Sequence, residues 1–385
     1  MDADSFGYDA NGNMTFAGNS AGTYTMEYDP LGQLTEVSEP FGASLNFGYD
    51  GNGNRTLVED SFGGTELSTY DADNQLVEQQ YIGQSQNLVT SFTYDYLGEE
   101  TTEVMMYGGT TAVSTNVTGY DTNGNVTSMH DVTSASTTVN FDYSYDVANE
   151  LTQEIDNGSS TTLYSYDATG QLISAGSTAY NYDANGNDAS AGDTVGVDNE
   201  LTSDGTYNYT YDHAGNETSK TNIATSDSWA YSYNNANELV SAVETNASSQ
   251  IENEASYAYD AFGNKIEMTT VQYGTAGYAP SATTVVTKYA IDQWNPDNNS
   301  GVSSVWADLN SSNGLQTRYI GDNNVNQLLA RIDVSSGAYW YLLDRQNSTR
   351  EIITNTAALK DTINYDAFGN ILPGGETAPQ YGGDY

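Results

Sequence analysis

One short segment, Tyr-Asp-x-x-Gly-Asn, recurs along this chain and constrains its fold more than any other feature. It opens as YDANGN at Tyr8 and is last seen as YDAFGN at Tyr365. Most neighbouring copies lie roughly 20 to 26 residues apart, a period typical of an array built from one supersecondary unit. The copies begin at Tyr8, Tyr28, Tyr49, Tyr70, Tyr94, Tyr120, Tyr145, Tyr166, Tyr182, Tyr211, Tyr233, Tyr259 and Tyr365.

The position three residues after each Asp carries Gly or Asn, the two residues that best tolerate a positive φ. This restriction predicts a hairpin whose type I turn closes with a Gly bulge. The Asp carboxylate is then expected to accept backbone N–H groups two residues on, as in an Asx turn. The predicted structural turn residues are Asp9, Gly12, Asp29, Gly32, Asp50, Gly53, Asp121, Gly124, Asp183, Gly186, Asp260, Gly263, Asp366 and Gly369.

Aromatic residues alternate on the segment that leads into each turn, as at Phe92 and Tyr94 or at Tyr143 and Tyr145. A period of two places both rings on one face of a strand. A hairpin of about 20 residues cannot bury an apolar face alone, whereas stacked neighbours share a continuous layer. We expect an all-β fold with almost no helix, in which stacked antiparallel hairpins of YD repeats form a curled sheet, a spiral barrel or a partial hollow shell.

The chain carries 52 acidic and 9 basic residues, which gives a formal net charge of −43. Such a surface repels nucleic acid and anionic membranes, and it destabilises itself unless salt or cations screen it. The acidity has two interpretations, adaptation to a saline habitat or an electrostatic role toward a basic partner, and both stay open.

The basic residues are unevenly distributed, because only Arg55 and Lys220 precede Lys265. This change marks a soft boundary, and an irregular stretch rich in Ser, Asn and Gly, with Pro280 and Pro296, follows it. We therefore predict three parts: a hairpin array over residues 1–273, irregular linking repeats over 274–315 and a distinct region over 316–385.

Cysteine is absent, so neither a disulfide framework nor thiol chemistry is available. The N-terminal residues MDADSFGYD lack the basic and apolar regions of a signal peptide, and no segment is apolar enough to predict membrane insertion. Since Met1 leads straight into a repeat, we expect an excised section of a larger protein, secreted or displayed at a cell surface, whose export signal lies elsewhere.

The YDxxGN and YDxxGQ units resemble the YD repeats of RHS-repeat proteins, and the stretch from Gln316 to Leu372 resembles their core-associated region. The resemblance implies a β-strand spiral that closes into a hollow shell, as in bacterial polymorphic toxins, the shell-forming components of insecticidal toxin complexes and teneurins. The segments that match in order and spacing are Arg318-Tyr319, Leu329-Ala330-Arg331, Tyr339 to Asp344, Arg350 and Tyr365 to Asn370.

In the toxins of that group, the shell encloses a C-terminal effector that an autoproteolytic aspartate site releases. This sequence departs from the pattern: Asn347 stands where the D-x-x-G-S-x-R element usually has Gly, and most repeats carry Asn, Gln or Glu where the family often has Arg. The sequence also stops before the paired Asp-Pro-x-Gly segments. The resemblance therefore transfers no catalytic residue.

The residues themselves offer little catalytic chemistry. The only histidines are His130 and His213, too few for a His-based triad or a multi-His metal site. Asp9-x-Asn11-Gly12-Asn13 echoes a calcium loop, but an EF-hand needs Gly sixth and Glu twelfth, whereas here Gly is fourth and Ser20 is twelfth. We expect no enzyme, no metal and no cofactor, with specific calcium binding kept as the minor alternative.

Two functions remain open. The favoured one is a non-enzymatic β-shell scaffold that encloses or presents a polypeptide, either a basic cargo or the remainder of the parent protein. The alternative is an extracellular adhesion or carbohydrate-binding module, in which exposed aromatic residues on a curved sheet hold a glycan or a cell-surface partner. The tryptophans considered for that role are Trp229, Trp294, Trp306 and Trp340.

Overall fold

The chain is almost entirely β-structure, as its alternating aromatic residues and repeated turns predict. Its described residues contain 33 strands and one 3-10 turn at Pro40–Gly42, and none of them is α-helical. No helix in this part of the chain is long and apolar enough to span a membrane. The structure is a computed structural model that describes residues 4–135, 138–189, 192–274, 282–294, 304–321 and 327–377.

The strands form two antiparallel sheets that do not close into barrels, and within each sheet every strand pairs with the next one in the chain. The first sheet contains β1 (Ser5–Tyr8), β2 (Met14–Gly18), β3 (Thr23–Tyr28), β4 (Leu34–Ser38), β5 (Ser44–Tyr49), β6 (Arg55–Asp60), β7 (Thr65–Tyr70), β8 (Leu76–Gly83), β9 (Gln86–Tyr94), β10 (Glu100–Tyr107), β11 (Thr111–Tyr120), β12 (Val126–Thr133), β13 (Thr138–Tyr145), β14 (Leu151–Asp156), β15 (Ser160–Tyr166), β16 (Leu172–Ala175) and β17 (Thr178–Ala179).

The second sheet follows the first after an isolated bridge between Tyr182 and Asp188. It contains β18 (Asp193–Val195), β19 (Leu201–Asp204), β20 (Tyr207–Tyr211), β21 (Glu217–Asn222), β22 (Ser228–Tyr233), β23 (Leu239–Thr245), β24 (Ile251–Tyr259), β25 (Lys265–Gln272), β26 (Thr283–Asp292), β27 (Ser304–Leu309), β28 (Leu315–Gly321), β29 (Leu328–Asp333), β30 (Gly337–Leu343), β31 (Thr349–Thr354), β32 (Leu359–Tyr365) and β33 (Ile371–Glu376). The expected fold of stacked antiparallel hairpins is confirmed.

The strands that lead into the repeat turns carry a bulge just before the repeat tyrosine. The register shifts between Gly7 and Tyr8 in β1, and again between Ser144 and Tyr145 in β13. An extra residue on one strand bends that strand and increases its twist. Repeating this device at hairpin after hairpin gives the sheets a source of curvature.

The two sheets stack face to face, and hydrophobic clusters join them. The largest cluster brings Phe141 and Tyr143 of the first sheet against Ile332, Trp340 and other residues of β28–β31. A second cluster brings Tyr24 against the ring of Phe262, at 5.6 Å between centroids, and against Trp294 at the same distance. The core therefore lies between repeats that are far apart in the sequence.

Burial varies strongly along the second sheet. Residues Ala338–Leu343 of β30 are all buried, so both faces of that strand are covered. From Asp193 to Thr245, by contrast, Ala242 is the single buried residue. The second sheet is covered along its later strands and is a single layer along its earlier ones.

The predicted division into three parts stays a prediction. The stretch predicted to be irregular contains two regular strands, β26 and β27, in its described residues. Pro280 and Pro296, on which that prediction depended, lie outside the described residues.

Candidate functional site: the layered wall and its uncovered face

The repeat turns have a constant geometry in which the Asp carboxylate is saturated by donors of its own turn. Asp50 Oδ1 accepts the backbone N–H groups of Asn52 and Asn54 at 2.9 and 3.0 Å, and its Oδ2 accepts Asn54 Nδ2 at 2.8 Å. The Asn54 side-chain hydrogen bond lowers the pKa of Asp50. Gly53, three residues after the Asp, has a φ of 94°. The other predicted turn glycines also have a positive φ: Gly12, Gly32, Gly124, Gly186, Gly263 and Gly369.

These turn residues recur hairpin by hairpin and do not converge on one pocket. In the described part of the chain, no group of three or more His, Asp or Glu side chains is arranged to hold a metal ion. A calcium ion at Asp9 would have to compete with Asn11 N, Asn13 N and Asn13 Nδ2, which already lie 2.8 to 2.9 Å from the carboxylate oxygens. The turn aspartates accept hydrogen bonds within their own turns, and the buried Asp260 also accepts the Tyr24 hydroxyl of the facing sheet at 2.7 Å.

The repeat tyrosine ties each hairpin to the one before it. Its hydroxyl donates to the backbone carbonyl of the residue that begins the strand after the preceding turn, as in Tyr49 to Leu34 and Tyr145 to Val126, both at 2.8 Å. The hydroxyls of Tyr28, Tyr94, Tyr120, Tyr166, Tyr233, Tyr259 and Tyr365 make the same bond. The ring thus supplies apolar area to the layer while its polar tip holds the spacing of the repeats.

Asn at the positive-φ position links neighbouring turns. Asn149, with a φ of 62°, accepts the side-chain amides of Asn123 and Asn125 at 3.1 and 2.9 Å. Gly at this position cannot make such a bond. The same link joins Asn52 and Asn54 to Asn74, Asn185 and Asn187 to Asn199, and Asn216 to Asn237.

Arginines clamp the two sheets together. Arg350 of the second sheet lies 3.4 Å from Glu154 and 3.2 Å from Asp156 of the first sheet, and 3.3 Å from Asp344 of its own sheet. Its guanidinium carbon also lies 4.6 Å from the centre of the Phe141 ring. Two further inter-sheet pairs are Arg55 with Asp292 and Arg318 with Asp60.

Buried carboxylates accompany the arginines between the sheets. Glu39 is 5% exposed, and its two oxygens accept Trp306 Nε1 and Ile291 N, each at 2.9 Å. Burial raises the pKa of Glu39 to about 8, and the nearby carboxylates of Asp292 and Asp260 act in the same direction. Burial likewise raises the pKa of Asp131 to about 6 and that of Glu351 to about 7.

The early strands of the second sheet present aromatic side chains that no second sheet covers. We call this surface, formed by Tyr207, Tyr209, Trp229, Tyr231 and Glu244, the uncovered face. Their side chains are half-buried by neighbours within the same sheet. The Trp229 and Tyr231 rings stack at 6.4 Å with an interplanar angle of 7°.

Comparison with known protein families agrees with this architecture. The family model described as Teneurin YD-shell matches residues 69–378, and the model described as RHS Repeat matches residues 28–65. The first of these matches covers most of the chain. The chain belongs to the teneurin YD-shell family. None of the curated proteins matches the sequence.

Solved structures share the YD-shell fold. The crystal structure of TcdB2-TccC3-TEV superposes with a TM-score of 0.65 at 13% sequence identity, over 96% of this chain and 22% of that one. The structure of TcdB2-TccC3-Cdc42 gives the same TM-score and coverage at 14% identity. These identities establish a likeness of fold alone. This chain spans 22% of the length of the structures that it matches.

Sequence reasoning on the YD shell missed the contacts that hold its layers together. It identified Arg318 and Arg350 only as matches to a family pattern, and it gave no role to Glu39, Asp60 or Asp156. The concentration of basic residues after Lys265 was the available signal, because a chain with few cations places them where buried carboxylates need partners. The two histidines stay apart: His130 lies in β12, 3.0 Å from Asp142, and His213 lies in the turn before β21.

Proposed function

We propose that this chain is a non-enzymatic wall of a YD shell that encloses or presents a polypeptide outside the cell. The observation that carries this proposal is the stacking of two sheets whose repeat tyrosines serve as packing and tethering groups. The conspicuous Asp and Asn side chains of the turns are occupied by their own hairpins. The net charge of −43 suits a basic cargo, since opposite charges favour encounter and retention.

Protection of an attached polypeptide from a protease tests this proposal. A basic, unstructured reporter would be fused after Tyr385, and trypsin cleavage of the reporter would be followed over time. Trypsin suits this design because the wall holds only 9 Lys and Arg residues, of which Arg55, Arg318 and Arg331 are buried. The same reporter on an unrelated carrier serves as the control.

We expect the reporter to be cut at least about tenfold more slowly on the wall than on the carrier, because a protease must wait for an opening of the surrounding structure. Trp340→Ala, which loosens the contact between the sheets, should return the reporter to faster cleavage. A reporter cut equally fast on the wall and on the carrier would contradict enclosure.

The carbohydrate-binding alternative is less well supported by the positions of the tryptophans. Trp340 is buried in the inter-sheet cluster, and Trp294 and Trp306 pack against the second cluster beside Tyr24. Trp229 is the remaining candidate for a flat sugar platform. A glycan array probed with the wild type and with Trp229→Ala tests this alternative, which requires binding that the variant loses.

A further inference from the structure

The uncovered face is a continuation of a surface that elsewhere forms the contact between the sheets. Trp229 and Tyr231 precede their turn in β22 by the same spacing as Phe141 and Tyr143 precede theirs in β13. Phe141 and Tyr143 are 1% and 5% exposed because the second sheet covers them, whereas Trp229 and Tyr231 are half-buried. The same face of the repeat is therefore an established interface in one place and open in the other.

An acidic residue occupies a constant position on this face. In the first sheet, Phe141 pairs with Asp156 across the strands, and Leu45 pairs with Asp60. In the uncovered face, Trp229 pairs with Glu244 in the same register. Each acid stands opposite the residue four before the repeat tyrosine.

Asp156 and Asp60 each receive an arginine from the facing sheet, whereas the equivalent Asp131, opposite Asn116, is buried and accepts Asn116 Nδ2 and Ser114 Oγ of its own sheet. Arg350 lies 3.2 Å from Asp156 and stacks over Phe141, and Arg318 pairs with Asp60. At Asp156 the guanidinium meets the acid and also covers the ring of the cross-strand residue Phe141, while at Asp60 the cross-strand residue is Leu45 and Arg318 stacks over Tyr81. A planar guanidinium suits this pairing better than an ammonium, because it stacks on rings and bonds carboxylates in a fork.

Glu244 has a different environment, because its contacts come from its own sheet. Its Oε2 accepts Asn253 Nδ2 at 2.5 Å. Lys220 lies on the same face, with its ammonium 6.0 Å from the Trp229 ring centre and 5.3 Å from that of Tyr207. Two further carboxylates lie near this face: Glu217, whose pKa is raised by burial and lowered in part by Lys220, and Asp204, which accepts the Tyr209 hydroxyl at 2.7 Å.

We propose that the uncovered face binds an extended polypeptide segment in which arginine stands beside apolar residues, with the guanidinium on Glu244 and over Trp229. This inference rests on the proposed function, because it names the kind of polypeptide that the wall holds and where. Continuity with the inter-sheet contact supports the position, and the arginine pairing of Asp156 and Asp60 supports the chemistry.

Charge decides between a separate basic segment and a second copy of this chain. Each copy carries a net charge of −43 and would bring a second Glu244 and Glu217 to a face-to-face contact. Like charges brought together in a desolvated contact oppose association. An arginine-bearing segment avoids this repulsion between like charges, and its apolar side chains would cover the half-buried rings.

The test uses the full chain and a labelled synthetic peptide of about ten residues in which arginine and leucine are separated by single serines, so that both fall on one face of an extended segment long enough to cross several strands. Fluorescence anisotropy measures its affinity for the wild type, Glu244→Gln, Trp229→Phe and Glu267→Gln at one salt concentration. Glu267 is the matched control, since it lies in β25 beside Met268, which pairs with Tyr257, and therefore points to the opposite face. Urea unfolding checks that each variant stays folded.

We expect Glu244→Gln to weaken binding about tenfold, as loss of one charge-assisted pair implies, and Glu267→Gln to leave it within about twofold. A peptide with lysine in place of arginine should bind less tightly to the wild type. Equal loss in both Gln variants would overturn the proposal, because binding would then follow net charge alone.

Two other outcomes would also overturn it. Concentration-dependent dimers in sedimentation that Trp229→Phe weakens would show that a second copy occupies the face, and glycan binding lost in Trp229→Ala would assign the face to a sugar. None of these outcomes affects protease protection of the fused reporter, which does not depend on Glu244. The failure of this inference is thus separable from failure of the proposed shell.

Discussion

Strands β29–β31 and strands β20–β23 belong to one sheet and share hairpin pairing, yet they differ in how far their side chains are buried. β30 is buried on both faces, whereas β22 has no buried residue: Ala230 and Ser232 are exposed on one face, and Trp229 and Tyr231 are half-buried on the other. The repeat therefore specifies the hairpin but not whether a second sheet covers it. Layering is decided by residues outside the Tyr-Asp-x-x-Gly-Asn segment.

The two strands differ in their apolar pattern. β30 reads Gly-Ala-Tyr-Trp-Tyr-Leu-Leu, a continuous apolar run, while β22 reads Ser-Trp-Ala-Tyr-Ser-Tyr, in which large aromatic residues alternate with small ones. A continuous run predicts burial on both faces, and alternation predicts burial on one. The continuous run of β30 accounts for its burial, whereas the alternating face of β22 is only half-buried because no facing strand among the described residues covers it.

Matched tryptophan substitutions should give the largest contrast between these regions. Trp340→Ala should lower the free energy of unfolding by close to 5 kcal/mol, the upper end of the roughly 3–5 kcal/mol range for a buried Trp, because Trp340 is 1% exposed. Trp229→Ala should cost about 1–2 kcal/mol, since only part of its ring is removed from water. Urea unfolding measures both, and equal losses would contradict a single-layered β22.

Removal of one basic side chain from each region should give the second-largest difference in the free energy of unfolding. Arg350→Ala leaves Glu154, Asp156 and Asp344 without their shared partner, and a buried pair broken in this way costs about 3 kcal/mol. Lys220→Ala in the open region should cost less than about 1 kcal/mol, because its partners are half-buried rings. Loss of stability at Lys220 equal to that at Arg350 would show that the open region is clamped as well.

The free energy of unfolding should fall as the pH rises, because a buried carboxyl group between the sheets then loses its proton. The folded protein holds the Glu39 proton more tightly than the unfolded chain, because burial raises the pKa of Glu39 from 4.5 to about 8. Its contribution is therefore present in full below about pH 4.5 and is lost as the pH rises through about 8. Between pH 5 and 8 this loss is about 3–4 kcal/mol.

Glu39→Gln should flatten that pH dependence, although it lowers stability at pH 5 because one amide N–H would face the donors of Trp306 or Ile291. Urea midpoints at several pH values measure the slope. A wild-type slope that survives Glu39→Gln would place the pH-sensitive group elsewhere.

Much of this fold could be predicted from the sequence, because its determinants are local. Gly53 has its positive φ and Asp50 its backbone donors within a few residues, and the alternation of Tyr143 and Tyr145 places both on one face. The expected curled array of antiparallel hairpins followed from these short-range constraints. The family resemblance pointed to the same architecture.

The contacts between the sheets could not be predicted, since they join residues far apart in a chain of similar repeats. Arg55 meets Asp292 across 237 positions, and Arg350 meets Asp156 across 194. A repeat pattern gives every hairpin a comparable apolar face, so it does not say which two faces meet. Which two faces meet depends on the twist and the bulges summed over many strands.

The smallest effects should come from the turns, and here the two regions should behave alike. Asn149 lies in the covered region and Asn237 in the open one, with φ values of 62° and 61°. Substitution by Ala keeps a Cβ in the left-handed region without the side-chain amide that helps Asn to adopt it, and it removes the turn-to-turn link, at about 1–2 kcal/mol at either site. Substitution by Gly relieves the backbone while losing the link, so it should stay within about 0.5 kcal/mol of wild type.

Urea unfolding of the four variants separates backbone strain from the amide link. If Gly proves as costly as Ala at both sites, the bonds from Asn125 to Asn149 and from Asn216 to Asn237 stabilise the repeat turns more than the backbone conformation does. If the cost differs between Asn149 and Asn237, the turn is coupled to the layer above it. Equal and small effects would show that each turn is stabilised by local interactions, and that a second sheet changes the stability only through the strand residues that it covers.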